Sequence, residues 1–273
     1  TVAAGLDKGV ISPNTTYYDP SFYKIGDATV RIVEEDGGAA TRSIPDILRY
    51  SLNTGATYIL MQMGGGEINE LARVAWHDYM TNRYMFGQKT GIEQGYEAEG
   101  YVPDPVDGFG LDITFANTTF GQGVNITPMQ MLAAYSATIN GGTYYRPHIV
   151  ETEDAAKNVI KQGVINPDLS PTLRGMHENS VAKNYTYLKR ENYRIGGKTG
   201  TAEIPKPGGG YYDDRYNGTF VGYVGGDKPE YVIIVTVKEP KIPGYAGSKA
   251  AAPLFGKTVD MLIGNYAVSM ASQ

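Results

Sequence analysis

Apolar residues recur at helical spacing through the first half of the chain and predict several helices there. Ser43-Ile44-Pro45-Asp46 has the form of a capping box with proline in the first turn, which predicts a helix over 44–50. The residues that follow predict a buried helix over 54–63, ended by three glycines, and an amphipathic helix from about 68 to 84. This part of the chain is therefore expected to be mainly helical.

The helical spacing of apolar residues weakens after residue 88 and returns near residue 127. Residues 88–119 are expected to be loop-rich, because they contain two prolines and several glycines. Thr127-Pro128 begins another helix, which should close near Gly141-Gly142. Two further helices are predicted, one around 170–184 and one that starts at Pro253.

Strand patterns dominate the last third of the chain. Runs that are β-branched or alternate in polarity predict strands at 27–34, 144–150, 192–204, 218–225 and 230–238. The last run is continuously apolar from Tyr231 to Val237, which is typical of a central strand. Together the elements predict an α/β chain in which an antiparallel sheet is flanked by helices, with a mainly helical subdomain.

Composition narrows the function classes. The 273 residues carry a net charge of -5, and no basic stripe is evident, so nucleic acid is not an expected partner. The absence of cysteine excludes disulfides and thiolate chemistry. His77, His148 and His177 are far apart in sequence, so we expect no metal site, and no cofactor motif is present. No apolar run reaches the length of a membrane span, and no signal-peptide pattern occurs.

The chain opens on a segment that resembles the end of a helix. Residues 1–8 carry apolar positions at helical spacing, and Gly9 is suited to the C-cap. Because no helix start precedes them, we expect the chain to be a fragment cut in or near a structural element.

The most informative motif is Lys198-Thr199-Gly200-Thr201, which lies in a predicted strand. Lysine supplies a positive charge, and two threonines two positions apart supply hydroxyls on one face of a strand. Gly200 leaves room for a ligand backbone alongside, so the segment suits a carboxylate. A second copy, Lys89-Thr90-Gly91, follows a helix and leads into a loop, which favours a helix-terminating turn with a solvated lysine.

A second candidate is Ser51-Leu52-Asn53, between two predicted helices. A serine and an asparagine two residues apart could both face one cleft. Both residue types are also common in turns, so a purely structural role stays open.

These motifs belong to a longer resemblance. The matching segments lie at 86–93, 120–123, 127–135, 140–142, 197–203 and 251–255, and their order along the chain also matches. They resemble the transpeptidase domain of class B penicillin-binding proteins, and the resemblance covers nearly all of the chain. It implies a β-lactamase/transpeptidase-like fold without its first strands, and residues 1–273 as a single, N-terminally truncated transpeptidase domain.

The resemblance implies a role for each candidate residue. Ser51 would hydrogen-bond the catalytic lysine and relay a proton to or from the leaving amine, and Asn53 would bind the backbone of the substrate. Lys198, Thr199 and Thr201, with Gly200 between them, would hold the terminal carboxylate of the substrate or of a β-lactam. The backbone N–H of Thr201 would form half of the oxyanion hole.

One motif of that family is not where the resemblance requires it. Its Ser-x-x-Lys pair, the nucleophile and its base, would fall just before Thr1. Two other matches exist. Ser21-Phe22-Tyr23-Lys24 leads into a predicted strand, whereas the chemistry needs the start of a helix, and Ser180-Val181-Ala182-Lys183 is helical but out of order. The sequence therefore predicts that this chain lacks the nucleophilic serine and lysine and is inactive alone.

The function implied is that of a serine-type D,D-transpeptidase, which cross-links peptidoglycan stem peptides ending in D-Ala-D-Ala and binds β-lactams. The implied location is the outer face of the bacterial cell membrane, in a longer protein that contacts other cell-wall proteins. Two alternatives stay open. One is a non-catalytic penicillin-binding-like module in cell-wall assembly. The other is a serine β-lactamase, which would need a residue to activate the deacylating water, and no glutamate is recognisably placed for it.

Overall fold

The computed structural model describes residues 1–32, 37–151 and 154–272. The chain divides into two compact units, Thr1–Leu173 and Arg174–Gln273, and the division falls within a long helix.

The first unit is mainly helical, as predicted. Its helices are α1 (Val2–Asp7), α2 (Ile44–Tyr50), α3 (Asn53–Met63), α4 (Glu70–Asp78), α5 (Leu111–Thr118), α6 (Pro128–Ile139) and the first turn of α7 (Leu169–Asn184). The predicted capping box of α2 is present, since Ser43 and Asp46 bond reciprocally. Thr127 and Gln130 form a second one at α6. A π-helical turn, Tyr79–Arg83, continues α4.

Short antiparallel strands surround these helices. They are β1 (Thr16–Asp19), β2 (Phe22–Ile25), β3 (Ala28–Arg31), β4 (Ala40–Ser43), β5 (Tyr144–Tyr145) and β6 (Val159–Lys161). They pair as β1 with β4, β2 with β3, and β5 with β6. A short 3₁₀ turn, Ala155–Asn158, precedes β6.

Helix α3 is central to the first unit. It packs against α1, α2, α4, α5 and β3. Ile59 and Leu60 of α3 are fully buried, as is Phe115 of α5. Burial of such side chains contributes about 2 kcal/mol each to stability.

The second unit contains the remainder of α7 and a three-stranded antiparallel sheet. Its strands are β7 (Arg194–Pro205), β8 (Tyr211–Gly225) and β9 (Pro229–Lys238), in the order β7-β8-β9. A 3₁₀ turn, Thr186–Leu188, precedes the sheet, and a π-helical turn, Gly247–Ala251, leads into α8 (Ala252–Asn265). Phe220 of β8 packs on Phe255 of α8 with ring centroids 4.4 Å apart, so α8 covers one face of the sheet.

Two predictions are corrected, and one helix was not predicted. Residues 88–119 are loop-rich, as predicted, but α5 also lies within them; Phe115 and Ala116 are buried there despite the prolines upstream. The apolar run of β9 is an edge strand of the described sheet, and β8 is the middle one. The predicted strand at 144–150 is only two residues long.

A strand was predicted at 218–225, within β8, but its central position in the sheet was not, for a physical reason. Glycines interrupt the apolar pattern of β8, and a Cβ added at Gly218 would lie 2.3 Å from the backbone of Ala246. The close approach of that backbone requires glycine, and so it weakens the pattern that marks a central strand. The predicted strand at 27–34 appears as β3; its last residues lie outside the described part of the chain.

Candidate functional site

Ser51 and Asn53 lie at the junction of two helices in the first unit. Ser51 ends α2 in the left-handed conformation, with φ 56° and ψ 46°, and its N–H donates to the carbonyl of Ile47. Leu52 is buried, and Asn53 is the first residue of α3. A serine with positive φ is uncommon and marks a tightly determined turn. The turn chemistry is therefore present, and it leaves Ser51 exposed and Asn53 half-buried.

A buried carboxylate, which the sequence reasoning missed, fixes the start of α3. Asp19 is fully buried and accepts hydrogen bonds from Thr54 Oγ1 at 2.6 Å, Tyr17 OH at 3.3 Å and the N–H of Ser21 at 2.9 Å. Its position at the first turn of a helix also suits a negative charge. Burial and the bond to Asp19 raise the pKa of Tyr17. Because Thr54 directly follows Asn53, this network holds Asn53 in place.

The Lys198 motif lies on β7, in the second unit. Lys198 pairs with Val221, Thr199 with Phe220 and Thr201 with Gly218. Since β7 is at the edge of the described sheet, alternate N–H and C=O groups of β7 point away from β8. Such an edge can accept an extended ligand as an added strand.

The side chains of the motif divide between the two faces of β7. Thr199 and Thr201 share one face, as the spacing predicts, and Lys198 lies on the other. Thr199 Oγ1 is 3.2 Å from the hydroxyl of Tyr185, and Thr201 Oγ1 accepts from the N–H of Gly247 at 3.0 Å. Lys198 is half-buried, and its Nζ donates to the carbonyl of Thr199 at 2.9 Å. No sequence pattern indicated Tyr185 or Gly247 as partners of these threonines.

The glycines of β7 differ in the space around them. An added Cβ would lie 2.5 Å from the Tyr223 ring at Gly196 and 2.4 Å from the Phe220 ring at Gly197. At Gly200 the nearest atom would be 3.8 Å away, on Thr219, which is an ordinary contact. Gly200 is exposed, so the space beside it is open to solvent.

Helix α7 approaches the same strand. His177 is buried and hydrogen-bonds the backbone of Gly197, the residue before Lys198. Burial lowers the pKa of His177 to about 4, so the ring is neutral at physiological pH. The next residue, Glu178, accepts from Tyr223 OH at 2.7 Å and pairs with Arg194 at 3.4 Å.

The second copy, at Lys89, binds a carboxylate of this chain. Glu97 accepts from the N–H of Thr90 at 2.9 Å, from Thr90 Oγ1 at 2.5 Å and from the N–H of Gly91 at 3.0 Å. Desolvation alone would raise the pKa of Glu97, but these hydrogen bonds hold it below its usual value. Lys89 is exposed, as predicted, and its Nζ lies 3.7 Å from Glu99.

Neither alternative Ser-x-x-Lys match has the geometry of a nucleophile and base at the start of a helix. Ser21 has φ 69° and precedes β2, which contains Lys24. Ser180 is 2% exposed and lies inside α7, with Lys183 exposed at its end.

Comparisons with known proteins identify the family of the chain. The family model of the penicillin-binding protein transpeptidase domain matches residues 1–260. Stage V sporulation protein D of Bacillus subtilis is 32% identical over 267 residues, which are 94% of this chain and 39% of that protein. Peptidoglycan D,D-transpeptidase MrdA of Acinetobacter baumannii is 26% identical over 92% of this chain and 40% of its own length. Penicillin-binding protein 3 of Mycobacterium tuberculosis, solved in complex with aztreonam, superposes with a TM-score of 0.82 at 27% identity, over 99% of this chain and 62% of that one.

The fold and motifs thus define an α/β domain of the kind found in penicillin-binding proteins. The chain belongs to the family of penicillin-binding protein transpeptidase domains, of class B type. It spans about two fifths of the length of the curated relatives given above. None of the described helices combines the length and the apolar character that a bilayer span requires.

Proposed function

We propose that this chain forms the substrate-binding part of a D,D-transpeptidase that cross-links peptidoglycan stem peptides and is acylated by β-lactams. The observation that carries the proposal is the Lys198 motif on the edge strand β7, with free space beside Gly200. An extended peptide could lie along this edge with its terminal carboxylate at Lys198. The names of the relatives and the family match over both units support the same activity.

The second unit would hold the donor peptide. The ammonium of Lys198 would attract the carboxylate of the last D-alanine, and the Thr199 and Thr201 hydroxyls would orient it. The backbone N–H of Thr201 would stabilise the oxyanion that develops on the penultimate D-alanine. Gly200 would let the peptide approach the strand closely.

The first unit would supply Ser51 and Asn53. Ser51 would pass a proton between the catalytic lysine and the leaving amine, and Asn53 would hydrogen-bond the peptide backbone. The fixed turn at Ser51 and the Asp19 network beneath Thr54 would keep these side chains in place. We assign the nucleophilic serine and its lysine to no residue of this chain.

The reaction is an acyl transfer in two steps. A serine oxygen attacks the carbonyl of the penultimate D-alanine, the C–N bond breaks, and D-alanine leaves with a proton on its amine. An amine from a neighbouring stem peptide then attacks the ester and releases the serine. A β-lactam would enter the first step, and its ring C–N bond would open without a departing fragment.

We further propose that residues 1–273 form one transpeptidase domain that includes both units. The natural polypeptide would act at the outer face of the cell membrane, together with other cell-wall proteins. The support for this location is that several relatives are named as peptidoglycan D,D-transpeptidases.

The proposal is tested on the natural polypeptide that carries these 273 residues. It is incubated with a stem pentapeptide donor and an amine acceptor, and separately with fluorescent penicillin and nitrocefin. We expect release of D-alanine, a cross-linked dimer, and a stable penicillin adduct by intact mass.

The other outcomes identify the alternatives. Rapid turnover of nitrocefin without a cross-linked product would favour a β-lactamase. Folded protein with neither adduct nor product would favour a non-catalytic module. Either result would overturn the proposal.

A further inference from the structure

His177 is a buried polar residue next to the proposed carboxylate site, and the proposed mechanism gives it no role. It lies in α7, is 8% exposed, and hydrogen-bonds the backbone of Gly197. The bond favours the protonated ring, so the imidazole donates and the Gly197 carbonyl oxygen accepts. The bonded residue immediately precedes Lys198.

The strand at this point is held from both faces. Phe220 contacts it on the α8 side, where a Cβ at Gly197 would lie 2.4 Å from the ring. Tyr223 contacts it on the α7 side, and its hydroxyl donates to Glu178, the residue after His177. Two consecutive residues of α7 therefore attach to β7. His177 bonds Gly197, and Glu178 pairs with Arg194 and also accepts from Tyr223.

A hydrocarbon side chain at position 177 could fill the same space without donating a bond. The Gly197 carbonyl would then lose its partner in a buried environment, which is costly. The strand could relieve this by rotating the Gly197–Lys198 peptide, and that rotation would move the Lys198 side chain.

We propose that His177 is a positioning residue, which holds the Gly197–Lys198 peptide so that the Lys198 ammonium meets the carboxylate of the ligand. This inference rests on the proposed function of Lys198. It predicts that loss of the His177 bond weakens selection for a ligand carboxylate more than it weakens the fold.

The test compares acylation of the natural polypeptide by a penicillin and by the methyl ester of the same penicillin. Stopped-flow acylation rates give an acid-to-ester preference for each variant. The variants are His177→Phe, which keeps a ring but no donor, and His177→Gln, which keeps a donor. Val181→Ala is the matched control, because Val181 is a buried residue of the same helix in the hydrophobic core.

We expect the preference to fall by roughly fivefold in H177F, the value of one hydrogen bond. H177Q should recover most of it. V181A should slow both ligands equally and leave the preference unchanged. A preference that is unaltered in H177F, or that is as low in H177Q as in H177F, overturns the inference.

The inference and the function that it rests on fail differently. If Lys198→Ala itself keeps the wild-type preference, the proposed role of Lys198 is wrong. If K198A abolishes the preference and H177F leaves it intact, only the inference about His177 is wrong.

A measurement on the wild type covers the case in which H177F does not fold. We expect the ring N–H proton of His177 to exchange slowly with solvent by NMR. The exchange should slow further when the free acid is bound, and not when the ester is bound. Equal exchange with both ligands contradicts the inference.

Discussion

Two copies of Lys-Thr-Gly lie in the two units of this chain, and their surroundings differ. In the copy at Lys89, backbone N–H groups and the hydroxyl of Thr90 surround the carboxylate of Glu97. In the copy at Lys198, the threonine hydroxyls bond to Tyr185 and to the N–H of Gly247. Among the described residues, no carboxylate side chain bonds to Thr199 or Thr201.

The role of the tripeptide depends on the structure in which it lies. On a loop that folds back, the copy at Lys89 binds the side chain of Glu97, six residues after Gly91, and so it organises that loop. On an edge strand, the copy at Lys198 faces outward along an extended backbone, which suits a carboxylate from another molecule. The same three residues thus serve structure in one place and, as we propose, recognition in the other.

The largest expected effect comes from removing each lysine. Lys198→Ala should slow acylation of the natural polypeptide by penicillin about 10- to 100-fold, since it removes a charged hydrogen bond to the ligand. Lys89→Ala should leave the acylation rate unchanged and alter stability by less than about 0.5 kcal/mol, because the ion pair with Glu99 is exposed. Fluorescent penicillin labelling over time measures both. Equal losses in the two variants would remove the distinction between the copies.

Substituting the glycine of each copy by alanine should have opposite consequences. Gly200→Ala should affect activity, and Gly91→Ala should affect stability. Gly200→Ala has room for its methyl group, so we expect normal stability and an acylation rate lower by about tenfold, as the methyl would obstruct the ligand. Gly91 has φ 79°, so Gly91→Ala should lower the free energy of unfolding by about 1 kcal/mol with no effect on acylation. Urea denaturation and penicillin labelling of both variants check this. A destabilised G200A would indicate that the strand itself lacks space.

The carboxylate held by the first copy gives a smaller effect. Glu97→Gln should lower the free energy of unfolding by about 1 kcal/mol, because a neutral amide accepts the three hydrogen bonds less strongly. Glu99→Gln is the control; its side chain is exposed and should change stability by less than about 0.5 kcal/mol. Denaturation midpoints at pH 7 measure both variants, and equal stability of the two would contradict the role of Glu97.

The smallest effect is a dependence on pH. The folded-state pKa of Glu97 lies below its unfolded value, so its contribution to stability is present above the unfolded pKa and is lost as pH falls through the folded pKa. The stability difference between wild type and E97Q should therefore shrink from pH 6 towards pH 3. Thermal melts of both proteins across this range measure it. A difference that grows in acid would reverse the sign and refute the prediction.

Local signals were sufficient to predict much of the fold. The capping box at Ser43 and the Thr127-Pro128 pair marked the starts of α2 and α6, because the residues that form each signal are neighbours in sequence. Helix α5 was missed because it follows prolines and glycines that dominate its window. The order of the sheet was missed because packing of a backbone against Gly218 is a long-range contact.

The candidate site was predictable only as far as its motif. Lys198 and Thr201 could be chosen over Lys89 from the strand pattern around them. Asp19 directly precedes Pro20, and nothing near it in sequence indicates a bond to Thr54. His177 and Tyr185 likewise contact β7 through tertiary packing, which a single sequence does not encode in a readable pattern.

The crowding around β7 restricts how this protein could evolve under antibiotic selection. Glycines that cannot gain a side chain without displacing their neighbours surround the motif: Gly196, Gly197, Gly218, Gly222 and Gly247. Gly200 alone among the glycines of β7 has space for a methyl group. If the motif binds β-lactams as proposed, Gly200 is the one glycine of β7 at which an added side chain could lower the affinity for the drug without displacing its neighbours. That position also serves the natural peptide, so such a variant would reduce the cross-linking rate as well.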